Sequence, residues 1–431
     1  MAGGHRWLVP RLAVLTALGL AASSCGGGGA DEAVVVTAAA PRQAADDAAV
    51  APTVAALNGF GARLFLEAAP PDGNALLSPW SVATALAMTR NGARGATAAE
   101  MDAVLGVPVE VLNAGMNALD QTMAARSGTR QRGDGSTADV AWSAANALWG
   151  QDGTTFEPAF LDVLAASYGA GMRTVDYRSD AEGARRAINA WVSEQTRTKI
   201  PDLIAQGVLD AFTRLVLVNA VYLKAPWEQP FHEEATADLP FTTDAGTEVP
   251  VPTMRIGGRL PYARGDGWQS VRLDYAGREL AMTLLVPDAG RLADVAGGLP
   301  NVLPAALATE YGPTVTLGLP RFRFRTPSAL RAALSTLGMP TAFVDGEADL
   351  SGITTDEPLH VAAVVHEAFV AVDEEGTEAA AATAVAAAGA SAPIEVVELV
   401  IDRPFLFAIH DVGTGLVLFL GRVGDPSATT E

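Results

Sequence analysis

Residues 372–391 read VDEEGTEAAAATAVAAAGAS, and no other stretch restricts the fold of the chain so tightly. Three acids, Asp373, Glu374 and Glu375, precede Gly376. From Gly376 to Ala390 there is no Pro, Lys, Arg or aromatic residue. Nothing in that composition bars the backbone from joining a sheet. At strand period, Thr377, Ala379, Ala381, Thr383 and Val385 share one face, while Glu378, Ala380, Ala382 and Ala384 share the other. The first face is small enough to lie on a core, and the only charge, Glu378, points the opposite way. The stretch therefore reads as a mobile loop able to become a central strand. Local propensity favours an alternative, a short alanine helix capped by Thr377 and ended at Gly389. The flanks decide for the strand: residues 361–372 (VAAVVHEAFVAV) and 394–401 (IEVVELVI) both alternate like strands.

With 431 residues, 49% hydrophobic and 18% charged, the chain can bury a large core and is not globally disordered. A net charge of −20 repels nucleic acid and sulfated polyanions, so neither is expected as a partner or cofactor. Arg126, Arg130 and Arg132 form the nearest thing to a basic cluster and read as a solvated loop. Catalytic wording is missing: there is no G-x-S-x-G, no P-loop and no C-x-x-C, and His366-Glu367 lacks the second histidine of a zinc motif. His232, His360 and His410 are scattered and read as surface or capping residues. No enzyme activity, metal or cofactor is expected.

At the N-terminus, Arg6 and Arg11 flank the start of a short apolar run, residues 12–22, too short to span a bilayer. Residues 1–24 read as a secretory signal, outside the fold, which puts the protein outside the cytoplasm. Ala22-Ser23-Ser24-Cys25 resembles the lipobox of bacterial lipoproteins, which implies a lipidated Cys25 and membrane attachment. The lipobox prefers Leu where Ala22 stands, and plain secretion is the alternative. Cys25 is the only cysteine, so no intrachain disulfide can form. Residues 25–52 are rich in Gly, Ala and Asp and read as a flexible tether.

Within the remainder, Leu57, Phe60 and Leu64 recur at helical spacing. In residues 74–101 (NALLSPWSVATALAMTRNGARGATAAEM), Ser78 can cap a helix with Pro79 first and Gly92 as its stop. Residues 140–177 read as strand, loop, helix, strand. Asp180 then caps a helix with apolar positions Ala184, Ile188, Trp191 and Val192. Residues 213–231 begin as a continuous apolar strand whose one strongly polar member, Asn219, needs partners if buried. ADLSGIT at 348–354, LVIDRPFLFAI at 399–409 and GLVLFLGRVGDP at 415–426 follow.

In this order, these motifs resemble the serpin family over about residues 55–426, and an E-E-G-T-E-A-A-A-A-T run marks its inhibitory members. The resemblance implies an α+β serpin fold: three β-sheets, eight or nine helices, and an exposed reactive-centre loop that can insert into the main sheet. One domain, 53–426, would carry it, with a short tail at 427–431. The hinge would be Glu374, Glu375, Gly376, Thr377, Glu378, Ala379, Ala380, Ala381, Ala382 and Thr383. Ser78 and Ser81 match the shutter where the central strands part. With Asn219 and His366 they would form a breakable network holding the sheet closed. Trp227 matches the breach at the top of the sheet, where Ala225 and Pro226 replace a Gly-Lys pair and imply a stiffer turn. Counting on from Glu374 by the spacing of inhibitory members sets the reactive bond at Ala390–Ser391. A small residue there implies serine proteases with a small primary pocket, elastase-like or subtilisin-like, met by a monomer. The rival is a non-inhibitory carrier of the same fold whose loop is merely cut. A hydrolase on an unrelated site is the third class.

Overall fold

The computed structural model describes residues 33–377 and 396–429. Among these residues, nine α-helices surround three sheets of eight, seven and four strands. The main sheet runs Val34–Val36, Met172–Val175, Thr137–Gln151, Leu215–Pro226, Gly376–Thr377, Ala363–Val372 and Phe322–Ala329, with Gly128–Gln131 as a hairpin on Thr137–Gln151.

Leu215–Pro226 reads as uninterrupted apolar sequence because both of its faces are covered. Leu215, Leu217, Val221 and Leu223 point into the main core. Val216, Val218 and Ala220 point the other way, against the helix Tyr177–Gln195. That helix buries Ala184, Ile188 and Val192, as its period predicts, with Trp191 packed at the margin. Asp176 caps its leading turn. Asp180 interrupts it with extended backbone (φ −143, ψ 68) and accepts from the Gly183 N–H at 2.7 Å, so it caps the main length.

Behind the sheet lies Pro79–Gly92, almost wholly buried. Ser78 accepts the Ser81 N–H at 3.3 Å and Pro79 opens the first turn. Gly92 is required at the end, since a Cβ there would lie 2.1 Å from the Ile353 side chain.

One boundary differs from the sequence reading. The tether assigned to residues 25–52 is built into the fold from Ala33 onward. Val34–Val36 pairs antiparallel with Met172–Thr174, adding an edge strand. Arg42 donates to Asn117 Oδ1 at 2.6 Å and to Asp120 at 2.8 Å. Asp46 caps the turn Asp47–Ala49, which runs directly into the helix Val50–Ala68. Three consecutive valines supply strand propensity that the surrounding Ala-rich composition hides. Cys25 and the signal segment lie outside the described residues.

Candidate functional site at the parting strands

Leu215–Pro226 and Ala363–Val372 are the two strands an inserted loop would have to separate. At their upper end they are already apart. Gly376–Thr377 stands between them, with Thr377 opposite Ala225 and Gly376 opposite Pro226 on one side, and Thr377 opposite Val372 on the other. The resemblance implies an exposed loop that can insert, and two of its hinge residues already occupy the sheet of the intact chain. Ala225 and Pro226, expected as a stiff turn, instead prolong the strand that receives them. Only glycine fits at 376: its φ is 153°, and a Cβ would lie 2.5 Å from the Ala225 carbonyl oxygen.

Thr377 is 3% exposed, and its Oγ1 lies 2.6 Å from the Tyr275 hydroxyl. The Tyr275 ring stacks on Trp227 at 4.6 Å and 4°. Trp227 in turn binds the segment just before Gly376. Its indole N–H donates to the Asp373 carbonyl at 2.9 Å and its backbone N–H to that of Glu375 at 2.8 Å. The Phe231 N–H donates to the Glu374 carbonyl at 2.9 Å. Asp373 closes the turn by accepting the N–H groups of Glu375 at 3.0 Å and Gly376 at 3.2 Å.

Asp373 and Glu374, which precede Gly376, are therefore anchors. Glu374 is buried and accepts from Arg321 Nε at 2.8 Å and from the Thr236 hydroxyl at 2.5 Å. Burial alone would raise its carboxyl, but those two donors hold it below the ordinary range. Asp373 is raised, by burial foremost.

The three arginines read as a solvated loop are also partnered. Arg126 pairs with buried Asp411 at 2.7 Å and with Glu279 at 2.6 Å, and Arg130 pairs with Glu279 at 2.8 Å. Arg132, 5% exposed, donates from Nε to the Trp227 carbonyl at 2.8 Å and so braces the breach from behind. Among the other histidines, His232 and His360 stand near Glu234 (3.8 Å) and Asp345 (3.6 Å), as surface residues do. His410 is not at the surface: it is buried, with Nε2 2.9 Å from the Thr283 hydroxyl.

Lower in the seam, the register sets Asn219 beside both Asn146 and His366. Ser78 donates its N–H to His366 Nε2 at 3.0 Å and its hydroxyl to the Leu418 carbonyl at 2.7 Å. The Ser81 hydroxyl donates to Asn146 Oδ1 at 2.5 Å. The network of Ser78, Ser81, Asn219 and His366 is thus revised. Asn146 takes the place expected for Asn219, whose buried amide makes no hydrogen bond among the described residues. Register brought Asn219 to the seam, but His366 Nε2 accepts from Ser78 and the Ser81 hydroxyl donates to Asn146. Glu378, Ala379, Ala380, Ala381, Ala382, Thr383, Ala390 and Ser391 lie outside the described residues.

Accepting at Nε2 makes His366 a neutral imidazole, and burial pushes its pKa down to about 4, with only partial opposition from the Asn219 backbone. An unfolded chain takes up a proton near pH 6.5 that the native ring refuses, so native stability is complete above pH 6.5 and is lost toward pH 4. Thermal melts should show wild type losing about 3 °C more than His366→Gln between pH 6.5 and 4.5. Parallel curves would contradict a buried neutral ring.

The comparisons with known proteins agree with this geometry. The family model described as Serpin (serine protease inhibitor) matches residues 55–426. Leukocyte elastase inhibitor of Bos taurus is 36% identical over 387 residues, covering 86% of this chain and 99% of that protein. An uncharacterized serpin-like protein of Thermococcus kodakarensis is 37% identical over 381 residues, covering 87% and 86%. Among solved structures, the thermophilic serpin tengpin in its native state superposes with a TM-score of 0.79 at 25% identity, covering 91% of this chain and 100% of that one. Serpin48 of the insect Tenebrio molitor gives 0.74 at 28% identity, covering 86% and 98%. A family match over residues 55–426, on a main sheet whose central strands already admit Gly376 and Thr377, establishes that this chain belongs to the serpin family.

Proposed function

We propose that this serpin traps serine proteases with a small primary pocket, elastase-like or subtilisin-like, as a covalent acyl-enzyme after cleavage at Ala390–Ser391. The protease serine oxygen attacks the Ala390 carbonyl carbon, and the peptide C–N bond breaks. The Ser391 amine leaves with a proton from the protease's histidine, and an ester joins the two proteins. Water would normally hydrolyse that ester. Insertion of the freed segment as a new central strand comes first, carrying the tethered protease about 50 Å over roughly fifteen residues. The displaced protease is pulled out of shape, and its active site needs sub-ångström order to deacylate.

The observation that carries this reading is the hinge already seated between the strands, with Thr377 facing inward. Its register supports the rest. Were the segment to insert in this register, the pairings of Thr377 with Ala225 and Val372 would bring Thr383 opposite both Asn219 and His366. Inserted, Thr383 would bring the only hydroxyl between Thr377 and Ser391 to the Asn219 amide, which lacks a partner among the described residues. The elastase-inhibitor relatives favour the target class given by Ala390. Export from the cytoplasm, with Cys25 carrying lipid, belongs to the same proposal and rests on residues 1–25 alone.

Incubation with pancreatic elastase, and separately with subtilisin, should give an SDS-resistant band at the summed mass. The released C-terminal fragment should begin at Ser391 by mass spectrometry. A cleaved chain with no such band would favour the carrier reading instead.

A further inference from the structure

The chain leaving the helix Tyr177–Gln195 crosses the outer face of the main sheet. There Arg197 and Thr198 are consecutive left-handed residues (φ 51 and 66). Two such non-glycine residues in a row persist only where their surroundings hold them. What surrounds them is the seam. The Arg197 guanidinium lies 5.1 Å from the Tyr222 ring centroid, and the Lys199 ammonium 5.5 Å from that of Phe369. Tyr222 belongs to Leu215–Pro226 and Phe369 to Ala363–Val372.

Those two strands pair directly up to Val221 and Ala368, so Tyr222 and Phe369 are the first pair above the closed seam. A few residues higher, Ala225 and Val372 are held apart by Thr377. The two aromatic rings stand at the fork itself, on the face that carries Val218 and Val365.

We propose that Arg197 and Lys199 are positioning residues that staple the fork. Each holds one of the two strands, and the staple must release one of them before the loop can descend. The proposal rests on the insertion reading above. Admitting a strand moves Tyr222 and Phe369 apart by about 4.8 Å. Arg197 and Lys199 are two residues apart on one tight turn and cannot follow both rings. Only one grip has to be lost, so a staple cut at either end is already open.

The test uses the intact protein without any protease. It measures the rate at which a synthetic peptide, EAAAATAVAA (residues 378–387), anneals into the sheet, read as a shift on native gels. Arg197→Asn keeps a side chain that tolerates the left-handed backbone, and Lys199→Met keeps the apolar stem. Each should accelerate uptake about two- to fivefold, the double variant should be no faster than either single one, and Lys199→Arg should restore the wild-type rate. Unchanged or slower uptake in both single variants would overturn the staple, and so would accelerations that multiply in the double variant, the mark of a loosened loop. If the wild-type protein takes up no peptide at all, the insertion reading fails, and the staple with it.

Discussion

Thr377→Arg converts the inhibitor into a substrate: elastase cleaves the variant, and the SDS-resistant complex falls by at least about tenfold. Position 377 faces inward, against the Tyr275 hydroxyl under the Trp227 stack. A guanidinium there would need a buried carboxylate, and Glu374 and Asp373 are already committed. Glu374 is held by Arg321 and Thr236, and Asp373 by the N–H groups of its own turn. Leaving the charge unpaired costs several kcal/mol, so the hinge vacates the sheet and insertion fails at its first step. The acyl-enzyme then has time to hydrolyse. Thr377→Ser, which keeps the hydroxyl at lower volume, should trap nearly as well as wild type. The measurement is the ratio of complex to cleaved product on denaturing gels. Undiminished trapping by the arginine variant would mean that Thr377 does not face inward during insertion.

Much of this site could be read from sequence because its residue types follow from local demands. A strand that joins a sheet over a core has to be small on one face, and residues 376–385 carry that pattern. Ser78, Pro79 and Gly92 each announce a helix boundary by a local mechanism, and all three stand where expected. The features that escaped are those set by distant partners. Tyr275, which receives the hinge threonine, lies in a hairpin with no motif of its own, and Arg321 meets Glu374 only through sheet pairing. Arg132 looked solvent-bound because its acceptor is a backbone carbonyl, which no side-chain pattern advertises. His410 sits in Phe405–Asp411, a strand buried on both faces, so alternation gave no sign of its burial. The same limit hid the seating of the hinge in the uncut chain. Composition says that a segment can pair, and only register says how far it has already done so.

Cleavage by elastase should raise the melting temperature by at least about 10 °C. In the intact chain the seam is a single parallel ladder from Val216 and Ala363 to Val221 and Ala368, topped by two inserted residues. Absorbing residues 378–387 replaces that ladder with two antiparallel ones, which pair somewhat better per residue, for a net gain on the order of ten hydrogen bonds. At about 1 kcal/mol each, this amounts to roughly 10 kcal/mol. A chain of 431 residues has an unfolding entropy near 0.9 kcal/mol per kelvin, which converts that gain into about 11 °C. Partnering the Asn219 amide through Thr383 adds to the gain, because a buried amide without a hydrogen bond costs on the order of 1–3 kcal/mol. Calorimetry of the intact and nicked proteins side by side checks the figure. Equal melting temperatures would mean that the native sheet stores nothing for the loop to release, and a cut loop would then have no force with which to distort a protease.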